Sequence, residues 1–332
     1  MTMAYTHLGR TGLSVSRLGL GTMNFGGFTT AAEAHGILDA AHDGGVNLID
    51  TADVYGWTVR KGLTEEILGD WFAQGGGRRE RTVLATKVYG TMEIEGRDGW
   101  PNAGRLSALN IRRACDASLR RLKTDHIDVY QLHHVDRRTP WDEMWQALDI
   151  LLTQGKVLYV GSSNFAGWHI ATAQAAAVRR GMFGLVSEQS VYNLLERDIE
   201  LEVLPSAAYH GVGVLPYSPL AGGLLGGVLR KAAAADPDSR SAKAAAELTD
   251  ERRAQLRAYE GLCDELDQAP GAVALAWLLR QPAVTAPIVG PRTREQLDLA
   301  LKALEVELDA SVLGRLDEIF PGRREAPEDY AW

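Results

Sequence analysis

Asp50, Tyr55, Lys87 and His133 are an acid, a phenol, an ammonium and an imidazole, and each stands at or just past a short apolar run. Asp50 ends VNLID, and Tyr55 follows five residues later within LIDTADVYG. Lys87 lies near the end of TVLATKV, and His133 comes directly after HIDVYQL. Gathered in one cleft, these four groups suit proton transfer to a carbonyl oxygen. A phenol ordinarily titrates at about 10, and a neighbouring ammonium favours the phenolate, so Lys87 is expected to draw the Tyr55 value down. An ammonium on an apolar strand needs a buried partner, and Asp50 is the expected one. The plainer readings are a partly buried core tyrosine and a structural salt bridge at a rim. Chemistry alone does not choose between His133 and its neighbour His134, which on an extended strand would point elsewhere.

Short β-branched runs alternate with longer amphipathic ones along most of the chain. The expected strands are residues 16–22, 46–50, 82–88, 126–132, 157–163, 183–189, 212–217 and 284–290. Several are apolar without alternation, as in parallel strands buried on both faces. Between them lie helix patterns such as AAEAHGILDAAHDG and WDEMWQALDILLTQG, with Gly at the stops and Asp, Thr or Pro near the starts. Eight strands separated by helices fit an α/β fold of the (β/α)₈ TIM-barrel class. An open doubly wound sheet is the rival, and no G-x-G-x-x-G opens a helix after the first strand to support it. In a barrel, the four polar groups would gather at the C-terminal mouth.

Residues 5–16 read as a hairpin with Gly9 and Gly12 near its turn, placed to plug the N-terminal end. Residues 219–250 read as a long Gly- and Ala-rich loop after the seventh strand, either a lid over a ligand or disordered. The polar tail PGRREAPEDYAW either covers a substrate or dangles. No linker divides the chain, so residues 1–332 are expected to form a single domain.

With 332 residues, 45% of them hydrophobic and 23% charged, the chain has the composition of an ordinary globular protein. A net charge of −8 with no basic stripe argues against nucleic acid as a partner. Cys115 and Cys263 both fall in helix patterns, which speaks against a disulfide framework and for a reducing, cytoplasmic home. The first residues carry no long apolar segment, and no membrane span is expected. The other histidines have no metal-ligand spacing, so no metal is expected.

Six segments, in order, resemble the aldo-keto reductases from about residue 5 to residue 320. They are LGRTGLSVSRLGLGTMNFGG, DTADVYG, VYQLHHVD, GSSNF, PYSPLAGGLL and PIVGPRTREQL. The resemblance implies a (β/α)₈ barrel binding an extended nicotinamide dinucleotide, NADP(H) more than NAD(H), and reducing an aldehyde or ketone. It selects His133 over His134 and assigns catalysis to Asp50, Tyr55, Lys87 and His133. Around the cofactor it places Gly21, Thr22 and Met23 with Asp50. Ser163, Asn164 and Gln189 are assigned to the nicotinamide carboxamide, and Tyr217 to the ring. Ser218, Leu220 and Gly222 fall to the pyrophosphate, and Gly290, Arg292 and Gln296 to the ribose 2′-phosphate. Asn164 taken alone could instead cap the following helix. Many relatives carry Asn where this chain has Ala300, near the adenine.

The expected substrate walls are Met23, Phe25, Trp57, Tyr89, Trp168, Tyr330 and Trp332. They suit an apolar carbonyl compound or a sugar, and the substrate is not named by them. Two rival functions accompany the reductase. One is a cofactor-loaded regulatory subunit, such as a channel-associated one. The other is an aldolase with Lys87 as Schiff-base nucleophile.

Overall fold

The computed structural model describes residues 3–92, 101–234, 236 and 239–331. The chain opens with an antiparallel hairpin, β1 (Tyr5–His7) and β2 (Ser14–Ser16). Eight parallel strands follow: β3 (Gly19–Gly21), β4 (Leu48–Asp50), β5 (Val83–Val88), β6 (Ile127–Leu132), β7 (Val157–Ser163), β8 (Leu185–Gln189), β9 (Gly213–Val214) and β10 (Ile288–Val289). Each pairs with the next in chain order, and β10 pairs back onto β3. Closure is completed at β9, where Val214 N–H donates to Ala283 O at 3.0 Å and Thr285 N–H to Val214 O at 2.8 Å. The result is a (β/α)₈ barrel.

Alternation along the strands decides what fills it. Leu48, Val83, Ala85, Val129, Leu215 and Ala286 form a buried apolar cluster toward the N-terminal end. One layer higher, the register sets Lys87 opposite Gln131 and Ser163 opposite Gln189. The interior is therefore greasy below and polar above. The hairpin seals the base, with Leu8 fully buried in the apolar cluster. At Gly9, φ is +55°, and an added Cβ would lie 2.5 Å from Gly211 O. Gly9→Ala is expected to cost about 2–4 kcal/mol, read as a lower urea midpoint, and an unchanged midpoint would mean the plug is not structural.

Helices cover the outside by the usual stripe logic. Along Ala108–Leu122 the buried positions are Asn110, Ile111, Ala114, Cys115, Ser118 and Leu122, and from Ile111 onward they follow a 3.6-residue spacing. Ser107 caps its start and Lys123, at φ 51°, ends it. Cys115 and Cys263 are free and buried, and burial pushes both thiols up to about 12.

The segment 219–250 is neither an open loop nor a plain lid. It contains the 3₁₀ turn Ala221–Gly226 and the helices Val228–Ala234 and Arg240–Ala246. Leu225, Val228 and Ala245 are buried against Tyr259, Cys263 and Trp277. Runs of alanine that read as loop filler are strong helix formers, and Ser239 caps the second helix through Ala242 N–H. The tail is docked rather than dangling. Ala326 N–H donates to Leu201 O at 2.8 Å, and Arg323 N–H to Glu200 Oε2 at 2.8 Å, both on the segment after β8.

Candidate active site

Asp50 ends β4 at 2% exposure, with its carbonyl fixed by Thr22 N–H at 3.0 Å and Thr22 Oγ1 at 2.9 Å. Lys87 on β5 is completely buried. Its Nζ donates to Asp50 Oδ1 at 2.5 Å, to the Thr51 carbonyl at 2.9 Å and to Tyr55 Oη at 3.2 Å. All three ammonium protons are thus directed. The loop that returns Tyr55 over Lys87 turns at Gly56, whose φ of +92° a side chain would strain.

Sequence reasoning missed how Asp50 is held. Its second oxygen accepts from Gln131 Nε2 at 2.9 Å and from Gln189 Nε2 at 2.8 Å. Gln131 lies on β6 opposite Lys87, and a polar residue near the end of HIDVYQL was the available signal. Gln189, assigned to the carboxamide, has committed its amide nitrogen to Asp50 and has its oxygen to offer.

Charges in this cluster differ from expectation in one respect. Burial raises the Tyr55 phenol, Lys87 draws it down, Asp50 raises it again, and the net direction is up. Burial outweighs the pull of the ammonium, and the paired carboxylate of Asp50 adds to the rise. Tyr55 therefore carries its proton throughout the neutral range, as a proton donor must. For Lys87, burial acts downward but Asp50 and Tyr55 outweigh it, and its pKa is raised. His133 is pushed down to about 2 by burial, with Lys87 and His134 adding to it, so the imidazole is neutral.

The His133 and Tyr55 rings lie 6.1 Å apart, nearly perpendicular. His134 does not point elsewhere. Its ring stacks on His133 at 4.9 Å and 6°, and meets Tyr89 edge-on at 5.2 Å. Strand β6 ends at Leu132, so strand alternation no longer applies to these two residues.

A polar platform adjoins this cluster. Asn164, at φ 60°, donates through Nδ2 to His133 O at 3.1 Å and to Ser163 Oγ at 3.0 Å, and accepts from Tyr217 Oη at 2.9 Å. It does not cap the next helix, whose N-cap is Ala166. Both amide protons of Asn164 are thus used within the protein. Ser218 and Gly222 are exposed beyond Tyr217, Leu220 is half-buried, and nothing lies within 4 Å of a Cβ built on Gly222 or Gly223. That open backbone can approach phosphates.

Farther along, the Arg292 guanidinium lies 4.2 Å over the Phe28 ring, and Arg292 N–H donates to Gln296 Oε1 at 2.8 Å. Gly290 accepts through its carbonyl from Asn24 Nδ2 at 2.8 Å. Thr293 caps the helix Arg294–Leu301, which begins two residues beyond Arg292. Ala300 is buried in the core beside Leu297 and Leu301. Gly21 and Thr22 are buried, and a Cβ on Gly21 would meet Ile288 Cγ2 at 2.8 Å. Met23 is exposed.

Of the expected substrate walls, Trp57 stands 6.0 Å from the Tyr55 ring and is half exposed. Phe25 is fully buried in the core and is no wall. Trp168 leans on His169 at 3.6 Å, Tyr330 is largely exposed on the tail, and Trp332 lies outside the described residues. Among the described residues, no helix is long and apolar enough to cross a membrane, and no three His, Cys, Asp or Glu side chains gather to hold a metal.

Known proteins resemble the chain over nearly its whole length. A profile described as "Aldo/keto reductase family" matches residues 17–320. "Uncharacterized oxidoreductase YrpG" of Bacillus subtilis is 54% identical, over 99% of this chain and 100% of the relative. "Probable voltage-gated potassium channel subunit beta" of Arabidopsis thaliana is 34% identical over 99% and 100%. "Versiconal hemiacetal acetate reductase" of Aspergillus parasiticus is 33% identical over 97% and 100%.

Proposed function

The chain belongs to the aldo/keto reductase family of nicotinamide-dependent oxidoreductases, and from that premise we propose that it reduces an aldehyde or ketone with NADPH, Tyr55 delivering the proton. The observation that carries the reading is the ammonium of Lys87 set between Asp50, at 2.5 Å, and Tyr55 Oη, at 3.2 Å. Bound NADPH supplies hydride to the carbonyl carbon. Tyr55 Oη hydrogen-bonds the carbonyl oxygen and passes its proton as negative charge develops there. Lys87, still charged and fixed by Asp50, stabilises the phenolate left behind. His133, a neutral imidazole with no protein partner on its ring nitrogens among the described residues, donates to the same oxygen and sets its angle.

Residues that fit the cofactor run along one arc of the mouth. Ser163, the Asn164 oxygen and the Gln189 oxygen suit the carboxamide, and Tyr217 suits stacking on the ring. Ser218, Leu220 and Gly222 follow for the pyrophosphate. Arg292 and Gln296 close the arc at the 2′-phosphate, and Met23 lies beside it. An arginine there discriminates NADPH from NADH through a charge-assisted contact. Arg292→Ala is expected to weaken NADPH by roughly ten- to a hundredfold and NADH by less than about twofold. Fluorescence titration with each nucleotide measures this, and equal weakening would sink the 2′-phosphate assignment. The same titration on the unaltered protein tests the whole reading, since a chain that binds neither nucleotide is not this reductase.

Apolar and aromatic surface at Met23 and Trp57 favours a carbonyl compound with an apolar or planar body. The relative named as a channel subunit does not favour the docking reading over reduction.

A further inference from the structure

Strand β8 carries a glutamate that the proposed chemistry leaves unused. Glu188 is fully buried, and by alternation it faces away from the barrel interior that its neighbour Gln189 enters. Ser162 Oγ donates to its Oε2 at 2.5 Å. Ser190 Oγ and the Phe165 N–H donate to its Oε1 at 2.7 Å and 3.0 Å. These donors bracket the proposed nicotinamide platform in sequence. Ser162 precedes Ser163 and Asn164, Phe165 follows them, and Ser190 follows Gln189.

No lysine or arginine among the described residues pairs with Glu188. From β7 it faces Ser162, from the residue just past its own strand Ser190, and from the turn after β7 two backbone N–H groups. Beyond β9 lies Tyr217, whose phenol is raised by burial and then by Glu188 itself. On the helix Gly167–Arg179, His169 lies 5.9 Å from the Phe165 ring; burial, then Arg137, lowers its pKa, and its Nδ1 accepts from Ala166 N–H.

We propose that Glu188 is a positioning residue for the cofactor, its carboxylate holding the turn Ser163–Asn164–Phe165 in the shape that presents Asn164 to the nicotinamide. This rests on the reading of that turn as the nicotinamide platform. Asn164 sits in the left-handed region, where a non-glycine residue needs local hydrogen bonds to stay. Glu188 provides the acceptor for the adjacent Phe165 N–H. A serine hydroxyl can rotate to meet a protonated acid, but a backbone N–H cannot.

An anion held only by dipoles is poised to take up a proton. Burial raises Glu188 to about 7, against the lowering effect of Ser162, Ser190 and the Phe165 and Asn164 N–H groups. If the platform binds cofactor in its ionised form, affinity rises as pH rises through about 7. For the fold alone the sign is opposite. Between the unfolded value of about 4.3 and the folded one, the native state keeps a proton that the unfolded chain has released. Stability from this group is therefore full below that window and lost as pH rises through it.

Full-length protein and its Glu188→Gln and Ser190→Ala variants are titrated with NADPH and, separately, NADH at pH values from 6 to 8. NADH is included because only NADPH carries a 2′-phosphate that titrates near this range. Wild type is expected to bind both nucleotides about tenfold more weakly at pH 6 than at pH 8. Glu188→Gln should flatten the NADH profile to less than about twofold, and Ser190→Ala, which removes one donor to the anion, should move the wild-type midpoint upward. A wild-type slope retained in Glu188→Gln would overturn the proposal. Should that variant fail to fold, an unmoved midpoint in Ser190→Ala would overturn it instead. Binding with a flat wild-type profile removes Glu188 alone, whereas no binding of either nucleotide at any pH removes the cofactor reading and this inference with it.

Discussion

Tyr55→Phe is expected to lower kcat by roughly 10²–10⁴-fold while NADPH affinity stays within about twofold. The substitution deletes one oxygen, the atom 3.2 Å from Lys87 Nζ, and keeps the ring. That ring is edge-on to His133 at 6.1 Å and tilted to Trp57 at 6.0 Å, so the local packing has the same shape in both proteins. A proton donor is used only as charge develops on the carbonyl oxygen, so its loss falls on kcat and kcat/KM together. Steady-state kinetics with any accepted carbonyl compound, beside a nucleotide titration, separates the roles. Lost nucleotide binding would assign the phenol to structure, and unchanged kcat would move the proton elsewhere.

Lys87→Met is expected to be as damaging to turnover and, unlike Tyr55→Phe, to destabilise the fold by about 3–5 kcal/mol at neutral pH. Removing the ammonium leaves the Asp50 carboxylate at 2% exposure with only the Gln131 and Gln189 amides to face it. A second substitution, Asp50→Asn, removes the stranded charge and should restore most of the lost stability but none of the activity. Urea unfolding of the two single variants and the double variant measures the coupling. Additive losses would show that the 2.5 Å pair is energetically unimportant. The pH dependence has a definite sign. The Lys87 pKa is raised, so its contribution is complete below the unfolded value of about 10.4 and is lost only as pH climbs through the still higher folded value. The comparison at pH 7 is thus made where the Lys87 contribution is complete.

Much of this architecture is legible without coordinates. Each of the eight expected strands contains the observed one, because strands buried on both faces are rich in apolar and β-branched residues without strict alternation. The hairpin is equally legible from its turn glycines. Residues 219–250 are less so: alanine and glycine together read as a loop, and only the burial of Leu225, Val228 and Ala245 shows which segments find a surface to pack on. Phe25 illustrates the same limit. It follows the first barrel strand, as a wall residue would, yet it turns into the core.

Run length and residue type by themselves gave eight strands in their order and pointed to a barrel, while the resemblance to the aldo-keto reductases, not chemistry, selected His133 as the fourth group at its mouth. Spacing along a strand sets which side chains share a face, and closure then brings those faces together. Tertiary structure alone decided how the groups are charged and held. Burial keeps Tyr55 protonated beside a charged Lys87, Gln131 and Gln189 share Asp50, His134 stacks where alternation has ended, and Glu188 stands behind the platform without a cation among the described residues. Those outcomes depend on distances of 2.5–5 Å between residues up to 139 positions apart, and on burial, which sequence spacing does not encode.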